Sequence, residues 1–315
     1  MFFPVDSVLP QTLITHLGIG NFLAGANHDR IKTVKLRKEV SQGFVAPVQS
    51  ILDYWNSVCP IPDTEEKDTK ETLPNDLTQM LGVAKYEPPQ MICKNANLVR
   101  LPSFVYMYDI EGCDNYPNIV EMLMDVPVMI TEKLEGQNWG LSIDTENNIV
   151  VNQRRFAVMP KDGEDVPTIV SVAETEGWKS LIVDIKKKYS PNGCVTLRGE
   201  LLGPNVQGNI YLFKAQTVRL FEIEIDGKPV SAKEFMSLVS EYNISNIVPV
   251  LSNGPTLREW LNGKTIQEAS NGKSTLYGGL REGVVVKPLT ESIIEGFGRL
   301  FIKQRSAEYL AKTDF

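Results

Sequence analysis

Short apolar runs separated by turn residues dominate the chain from about residue 125 onward. Runs of this length, rich in Val, Ile, Leu and Phe, predict strands. The first hairpin signal is Glu146-Asn147-Asn148, and the second is Asp226-Gly227 at the end of a longer run. Asn and Asp-Gly suit such turns because they tolerate a left-handed backbone. The pattern predicts strands at residues 126–132, 139–144, 149–154, 195–197 and 217–225.

Two stretches carry a helical pattern instead. Residues 167–189 predict helix with a break near Gly177, and Ser231 with Glu234 forms a capping-box signal for a helix that runs to about residue 241. Strands with interspersed helices and several hairpins predict an α+β fold with an antiparallel sheet.

The N-terminal third follows a different pattern. Basic and apolar residues alternate over residues 30–38, which predicts a strand with a positive outer face. That face is either an ordinary solvated surface or a surface that follows phosphates. Residues 60–76 combine prolines and charges without any period, and they predict an exposed insertion.

Bulk composition limits the kinds of protein that this chain can be, but it does not identify one. The chain has 315 residues, 42% of them hydrophobic, which allows two ordinary domains. Its formal net charge of −7 argues mildly against a nucleic-acid binder, although local patches decide phosphate binding. No apolar run is long enough to cross a bilayer, and the first residues do not resemble a signal peptide.

The cysteines and histidines exclude several kinds of chemistry. The four cysteines form no Cys-x-x-Cys pair, so we expect neither a zinc site nor a disulfide framework, and we expect the cytoplasm or another reducing intracellular compartment. Only His16 and His28 are present. From residue 29 onward, chemistry therefore depends on lysines, carboxylates and metal-bound phosphate rather than on a histidine triad or histidine metal cluster.

A candidate nucleophile follows the strand predicted at residues 126–132. Lys133 stands in the segment TEKLEG at 131–136, and a Lys-x-x-Gly is expected about once by chance in a chain of this size. Lysine attacks phosphorus only when neutral, and burial or nearby cations would lower its pKa. Gly136 would let the backbone turn tightly beneath a nucleotide.

Further charged residues end or enter predicted strands. In EGVVVK at 282–287, alternation puts Lys287 on the face opposite Val284 and Val286, with Glu282 at the strand entrance. Lys303 and Arg305 alternate onto one face after a second apolar run, where they could neutralise a triphosphate. Taken singly, each segment is also compatible with an ordinary core strand that ends at the surface.

Two more residues suit a nucleoside. Glu200 follows the predicted strand at 195–197, and a carboxylate there suits a ribose hydroxyl. Phe221 lies within the predicted strand at 217–225 and could stack on a purine, although core packing is the commoner fate of a phenylalanine.

The joint order of these segments resembles the covalent nucleotidyltransferases, which include ATP-dependent polynucleotide ligases and capping enzymes. The segments are TEKLEG at 131–136, LRGE at 197–200, LFEI at 220–223, EGVVVK at 282–287 and IKQR at 302–305. GPNVQ at 203–207 is similar to a segment of RNA ligases that capping enzymes lack. Residues 34–43 and 81–89 resemble the N-terminal OB domain, and its exit, of the Deinococcus and Naegleria type of RNA ligase.

This resemblance implies a two-domain α+β fold. An OB-like β-barrel is expected over 1–115, with the exposed insertion near 60–76, and an antiparallel-sheet, ATP-grasp-like nucleotidyltransferase domain over 116–315. The opening residues resemble the middle of such a barrel, so we expect its first strands to be missing. A complete five-stranded barrel within residues 1–125 would contradict that expectation.

The resemblance also implies roles for individual residues. Lys133 would be the adenylated nucleophile, and Lys287 and Lys303 would engage the α-phosphate. Waters of a catalytic Mg²⁺ or Mn²⁺ would be held by Glu135 and Glu282, with Asn138 nearby. The residues expected to contact the nucleotide are Glu132 through its backbone, Gly136, Arg154 at the sugar or 5′-phosphate side, Glu200 at the ribose, Phe221 at the adenine and Arg305.

The implied activity is an ATP-dependent RNA ligase that acts as a monomer on RNA or on nicked duplexes containing RNA. The last motif ends in Arg305, where many ligases have lysine, which leaves the role of this residue open. A DNA ligase or a GTP-dependent capping enzyme is an alternative, and nucleotide choice would identify the latter. A non-catalytic nucleic-acid-binding protein on a ligase fold, or an end-sensing module, is a further alternative.

Overall fold

The structure of the chain is a computed structural model, and it describes residues 1–25, 27–36, 39–41, 43–58, 76–86 and 95–313. Almost all of the insertion predicted at 60–76 lies outside these ranges, as do Cys59, Cys93 and parts of the segments 34–43 and 81–89. The chain divides into two compact units, Met1–Gln90 with Ala307–Phe315, and Met91–Ser306.

Short strands and two helices make up the first part of the chain. Its elements are β1 Phe2–Pro4, β2 Ser7–Val8, α1 Gln11–Leu17, β3 Val34–Leu36, β4 Glu39–Ser41, β5 Gly43–Val45, α2 Val48–Val58 and β6 Ala84–Lys85, with a 3-10 turn at Gly20–Phe22. The strands pair antiparallel as β1–β5, β2–β6 and β3–β4. No closed barrel is found among the described residues of this unit, so the OB domain stays a prediction.

The second unit contains the larger sheets. Its elements up to residue 202 are β7 Ala96–Arg100, β8 Glu111–Gly112, a 3-10 turn Cys113–Asn115, α3 Pro117–Leu123, β9 Pro127–Lys133, β10 Gln137–Ile143, β11 Ile149–Asn152, β12 Phe156–Pro160, α4 Thr168–Thr175, α5 Trp178–Tyr189 and β13 Val195–Leu202. The remaining elements of this unit are β14 Thr217–Ile225, β15 Lys228–Pro229, α6 Ala232–Glu241, β16 Val250–Thr256, α7 Leu257–Leu261, α8 Ile266–Ser270, β17 Gly283–Pro288, β18 Ile293–Ile294, β19 Gly298–Arg299 and β20 Ile302–Arg305. Helix α9, Ala307–Thr313, belongs to the first unit.

Two sheets organise the second unit. One has the strand order β15-β14-β13-β10-β11-β12-β7, and the other has the order β16-β9-β17-β20-β8. Every pair in them is antiparallel except β20–β8, which is parallel. The fold is therefore a mixed α/β fold with mainly antiparallel sheets, as the sequence predicts.

The turn residues and the capping box recognised in the sequence lie at the turns and at the helix start for which they were predicted. Asn147, at φ 67°, turns the β10–β11 hairpin, and Asp226 with Gly227, at φ 52° and 71°, turns the β14–β15 hairpin. The side chain of Ser231 accepts a hydrogen bond from the backbone N–H of Glu234, whose carboxylate accepts one from the backbone N–H of Ser231. These turns and the cap confirm the predicted hairpins and the helix at α6.

Separate apolar cores support the two sheets. Trp139 and Leu197 of the larger sheet pack with Ile182 of α5 in one cluster. Val284 and Val286 of β17 are fully buried in another cluster, which confirms the predicted alternation of this strand. None of the helices in the described part of the chain has the length and apolar character that a bilayer span requires.

Candidate active site

The sheet register brings the candidate nucleophile beside a carboxylate. Strands β9 and β17 are antiparallel neighbours, and Gly283 pairs with Lys133 at the end of β9. Glu282, the residue before β17, therefore lies next to Lys133 although 149 positions separate them in sequence. The Lys133 ammonium donates to Glu282 Oε1 at 2.5 Å, and the two side chains are 24% and 13% exposed.

The loop after Lys133 is held by close packing. A Cβ on Gly136 would come within 2.4 Å of the Leu201 carbonyl oxygen and within 2.8 Å of Glu200 Cγ. The requirement for glycine here is therefore one of space against β13 rather than of a left-handed backbone. One residue earlier, the backbone N–H of Glu135 donates to Tyr211 Oη at 2.8 Å.

Several oxygen atoms around this loop are buried and have no hydrogen-bond partner. They are Glu132 Oε1, Glu135 Oε2, Asn138 Oδ1 and Glu282 Oε2. Unsatisfied buried acceptors are unfavourable unless a ligand, water or cation completes them. Within the described ranges, no group of three or more His, Cys, Asp or Glu side chains is arranged to hold a metal ion directly. The oxygens therefore fit a hydrated cation better than a closed protein cage.

Glu200 lies in the same electrostatic environment. It stands on β13 opposite Asn138 of β10. Burial raises the pKa of Glu200 to about 8, and the charge of Glu282 acts in the same direction, while Lys133, the Gly136 backbone and Lys303 oppose the rise. Burial, followed by the charge of Glu282, also raises the pKa of Glu135. At neutral pH Glu200 is largely protonated and can donate a hydrogen bond.

Glu132, the neighbour of Lys133 on β9, is hydrogen-bonded to the segment after α8. Its carboxylate is buried and accepts hydrogen bonds at Oε2 from the backbone N–H and the hydroxyl of Thr275, at 3.0 and 3.2 Å. Its backbone N–H donates to the Pro249 carbonyl at 2.9 Å. The side chain thus links β9 to the segment after α8.

Phe221 of β14 and the neighbouring Tyr108 form a wall of aromatic rings, called the aromatic wall below. The Phe221 ring centre is 5.0 Å from that of Tyr108, and Phe221 packs beside a small apolar cluster that contains Leu134 and Val248. The ammonium of Lys287 lies 5.8 Å from the Phe221 ring centre. Phe221 is half-buried, so the wall has an accessible part that could stack on a base.

Lys287 is buried behind this wall. Its ammonium donates to Glu222 Oε2 at 2.7 Å and to the Phe221 carbonyl at 3.2 Å. Arg299 donates to the same carboxylate at 2.8 and 3.1 Å and to Glu291. Burial alone would raise the pKa of Glu222, but Lys287 and Arg299 outweigh it and the pKa is lowered. This cluster fastens the aromatic wall.

Asp109 lies between two of the cations predicted from the sequence, Arg154 and Lys303. Asp109 Oδ2 forms an ion pair with Arg154, and its Oδ1 lies 3.8 Å from the Lys303 ammonium. Lys303 and Arg305 are half-buried on β20 while Ile302 and Gln304 are buried, which confirms their predicted alternation. The Arg305 carbonyl accepts from Gln267 at 3.5 Å.

Asp109, Tyr211 and Arg299 are not among the residues predicted from the sequence. Asp109 lies between β7 and β8 in a stretch without regular structure, and Tyr211 lies in the irregular segment between β13 and β14. Neither stretch carries a periodic signal. Arg299 follows Gly298 in a short hairpin strand, and only its charge in an otherwise apolar run distinguishes it.

Comparison with known proteins identifies relatives of this arrangement. The family model described as RNA ligase matches residues 126–305, which include all five motif segments. A Naegleria gruberi RNA ligase mutant in its apo form superposes with a TM-score of 0.74 at 22% identity, covering 99% of this chain and 85% of the other.

Two further mutants of a Naegleria gruberi RNA ligase give similar matches. One was solved with ATP and Mn, and it has a TM-score of 0.72 at 22% identity over 99% of this chain and 86% of the other. The other was solved with AMP and Mn, and it has the same TM-score and identity over 99% and 85%. At this identity the matches establish the fold. No curated protein matches the chain significantly.

Proposed function

Because the chain belongs to the RNA ligase family, whose members are enzymes that form phosphodiester bonds, we propose that it is an ATP-dependent ligase. It would join a 3′-hydroxyl to a 5′-phosphate through two intermediates, a lysyl-AMP and a 5′-adenylated strand. Nicks in duplexes with RNA on the 3′-hydroxyl side are the proposed substrates. The protein is proposed to act as a monomer in a reducing compartment.

The observation that carries this proposal is the pair of Lys133 and Glu282 at adjacent strand ends, surrounded by unsatisfied buried oxygens. A lysine nucleophile needs a free lone pair, so its contact with Glu282 has to be broken before attack. A cation near Glu282 would favour that change because it competes with the ammonium for the carboxylate.

In the first step, the neutral Lys133 Nζ attacks the α-phosphorus of ATP. A nitrogen–phosphorus bond forms, the bond from the α-phosphorus to the bridging oxygen breaks, pyrophosphate leaves, and the lysine loses a proton to solvent. Half-exposed Lys303 and Arg305 are proposed to stabilise the growing negative charge. In-line positioning supplies much of the remaining acceleration.

In the second step, a 5′-phosphate oxygen attacks the same phosphorus and the phosphorus–nitrogen bond breaks, which returns Lys133 to its amine form. In the third step, the 3′-hydroxyl attacks the 5′-phosphate, AMP leaves and a phosphodiester forms. Arg154 is proposed to bind at the sugar or 5′-phosphate side.

Phe221 and Glu200 are proposed to hold the nucleoside. The accessible part of Phe221 would stack on adenine, the Glu132 backbone would meet the base edge, and Gly136 would let the nucleotide lie close to the chain. Protonated Glu200 would donate to a ribose oxygen. Lys287, proposed to engage the α-phosphate, would first have to leave the buried carboxylate of Glu222.

The unsatisfied oxygens of Glu135, Asn138 and Glu282 suit a hydrated Mg²⁺ or Mn²⁺. Such an ion would supply charge neutralisation at the transferring phosphate. Glu135 and Glu282 are proposed to bind its waters, and Asn138 to lie beside them. The Naegleria structures solved with ATP or AMP and Mn support the use of a divalent metal.

Adenylate transfer tests the proposal most directly. The protein is incubated with ATP labelled at the α-phosphate and a divalent metal, and covalent label is measured on the denatured chain. We expect label from ATP, none from GTP or NAD⁺, and none from the folded Lys133→Ala variant. Label from GTP would indicate capping chemistry, and label retained in Lys133→Ala would reject the nucleophile.

Strand joining then tests the substrate. Nicked duplexes with RNA or DNA on either side of the nick are compared with unpaired RNA ends under the same conditions. We expect the fastest sealing where the 3′-hydroxyl strand is RNA. Equal sealing of an all-DNA nick would favour a DNA ligase, and binding without label or sealing would favour a non-catalytic protein.

A further inference from the structure

The segment at residues 203–216 joins β13 to β14 and has no role in the reaction proposed above. Four of its non-glycine residues have a left-handed backbone, with φ 62° at Asn205, 46° at Gln207, 44° at Asn209 and 56° at Leu212. L-residues adopt this conformation rarely, and it persists only where the surroundings impose it. Its concentration here indicates a segment built to hold one particular shape.

Side-chain hydrogen bonds close the segment on itself. Asn209 donates from Nδ2 to the Phe213 carbonyl at 3.1 Å, and its Oδ1 accepts from the Phe213 backbone N–H at 3.2 Å. Gln216 donates from Nε2 to the Pro204 carbonyl at 2.9 Å. These bonds fix the turn that carries Tyr211.

The same segment forms two hydrogen bonds with the loop after Lys133. Tyr211 Oη accepts from the Glu135 backbone N–H at 2.8 Å, and Gln207 donates from Nε2 to the Gly136 carbonyl at 3.4 Å. The Gly208 backbone also lies near the Glu135 carboxylate and opposes the rise in its pKa that burial causes.

The Tyr211 ring is itself held firmly. It is buried in the apolar cluster that contains Leu134, and it meets the Tyr277 ring edge-on at 5.2 Å. Its hydroxyl therefore offers a fixed acceptor to the loop, and a small displacement of this loop would be transmitted directly to the reacting nitrogen.

We propose that residues 203–216 form a clamp that fixes the loop 134–136, and that Tyr211 is its positioning residue for attack by Lys133. The inference rests on the proposed function, because the clamped loop follows the proposed nucleophile. Tyr211 is a positioning residue and not a catalytic residue, since its hydroxyl contacts the loop and not a reacting atom.

The test compares Tyr211→Phe with Tyr277→Phe. Each variant loses one hydroxyl, but Tyr277 donates to the Leu280 carbonyl and leaves the Glu135 N–H bonded. Single-turnover formation of lysyl-AMP is measured over a range of ATP concentrations. Tyr211→Phe leaves the part-buried Glu135 N–H without its acceptor and frees the loop to shift, so we expect about a tenfold lower rate at saturating ATP. The ATP concentration at half-saturation should stay within about twofold of the wild-type value. Tyr277→Phe should match the wild type in both the saturating rate and this concentration.

A second variant tests the clamp from its other end. Asn209→Gly tolerates the left-handed backbone but removes both bonds to Phe213, so it should lower the saturating rate without weakening ATP half-saturation. A wild-type rate in Tyr211→Phe would overturn the proposal. Equal losses in Tyr211→Phe and Tyr277→Phe, or a loss that lies wholly in ATP half-saturation, would overturn it as well.

Hydrogen exchange separates this proposal from the proposed function. In Tyr211→Phe the amide of Glu135 should exchange faster, while the amides of α5 keep their protection. If the wild type forms no adenylate, the proposed function fails and the exchange comparison still decides whether the clamp exists. If the wild type forms adenylate and the variant neither slows nor exchanges faster, only the clamp fails.

Discussion

The contacts Lys133–Glu282 and Lys287–Glu222 each join a lysine to a glutamate, and Lys133 and Lys287 lie on adjacent strands of one sheet, yet their surroundings differ. The side chains are 24% and 13% exposed in the first pair and 7% and 2% in the second. Glu282 keeps one buried oxygen without a partner, whereas both oxygens of Glu222 receive hydrogen bonds from Lys287 and Arg299.

This difference separates a contact that a ligand can complete from one that the protein has already completed. The first pair is near Glu200, whose pKa is raised chiefly by burial, while the charge of Lys133 lowers it and that of Glu282 raises it. In the second pair the pKa of the carboxylate is lowered, and the neighbours are aromatic rings. We infer that the first pair is open to the chemistry, and that the second supports the wall that carries Phe221 until Lys287 leaves Glu222.

The largest expected effect comes from removing one charge from each pair. Glu222→Gln leaves Lys287 buried without its counter-charge, so we expect a loss of about 3–5 kcal/mol in the free energy of unfolding. Glu282→Gln removes a more exposed partner with an unsatisfied oxygen, so we expect a change below about 1 kcal/mol. Denaturant unfolding of both variants measures the contrast.

Adenylation of the same two variants sharpens the comparison. Glu282→Gln should remain folded and lose most adenylate transfer, because the proposed cation loses a ligand for its waters. Similar stability losses in the two variants would contradict the division into an open and a completed pair.

The second prediction concerns Glu200, which shares the environment of the open pair. Its pKa is about 8 in the folded protein and near 4.5 in an unfolded chain, so the folded state holds an extra proton between these values. Stability from this group therefore falls as pH rises from about 4.5 to 8. Glu200→Gln cannot titrate, and it should gain roughly 2–4 kcal/mol relative to the wild type across that window.

Unfolding free energies of the wild type and Glu200→Gln, measured side by side from pH 5 to 9, check this expectation. The difference between the two proteins matters, because the titration of all other groups largely cancels in it. A difference that is constant over the whole range would mean that Glu200 is ionised at neutral pH and that burial does not raise its pKa.

Local sequence signals were enough to place the elements that carry most candidate residues. The apolar run before Lys133 ends at the strand end where the structure has it, and the turns at Asn147 and Asp226 follow from residues that accept a left-handed backbone. The capping box at Ser231 is equally local. Such features depend on neighbours within a few positions, which the sequence displays directly.

The partners of those residues could not be predicted in the same way. Glu222 meets Lys287 across 65 positions although their strands belong to different sheets, and Asp109 meets Arg154 across 45 although both residues lie between strands. Periodicity in one strand does not specify which other strand lies beside it. Tyr211 was missed because its backbone is fixed by side-chain bonds within an irregular segment rather than by a repeating pattern.

The smallest expected effect comes from changing Asp109. Its ion pairs are more exposed than those of Glu282 and Glu222. The side chains of Asp109, Arg154 and Lys303 are 31%, 35% and 26% exposed, so Asp109→Asn should change the unfolding free energy by less than about 1 kcal/mol. A carboxylate between two cations competes with phosphate for them, so ATP half-saturation in the adenylation assay should fall about two- to threefold. Asp109→Glu keeps the charge and should keep the wild-type value. Weaker ATP binding in Asp109→Asn would mean that Asp109 holds the two cations in place for the nucleotide, which would make this third contact a completed pair like Lys287–Glu222.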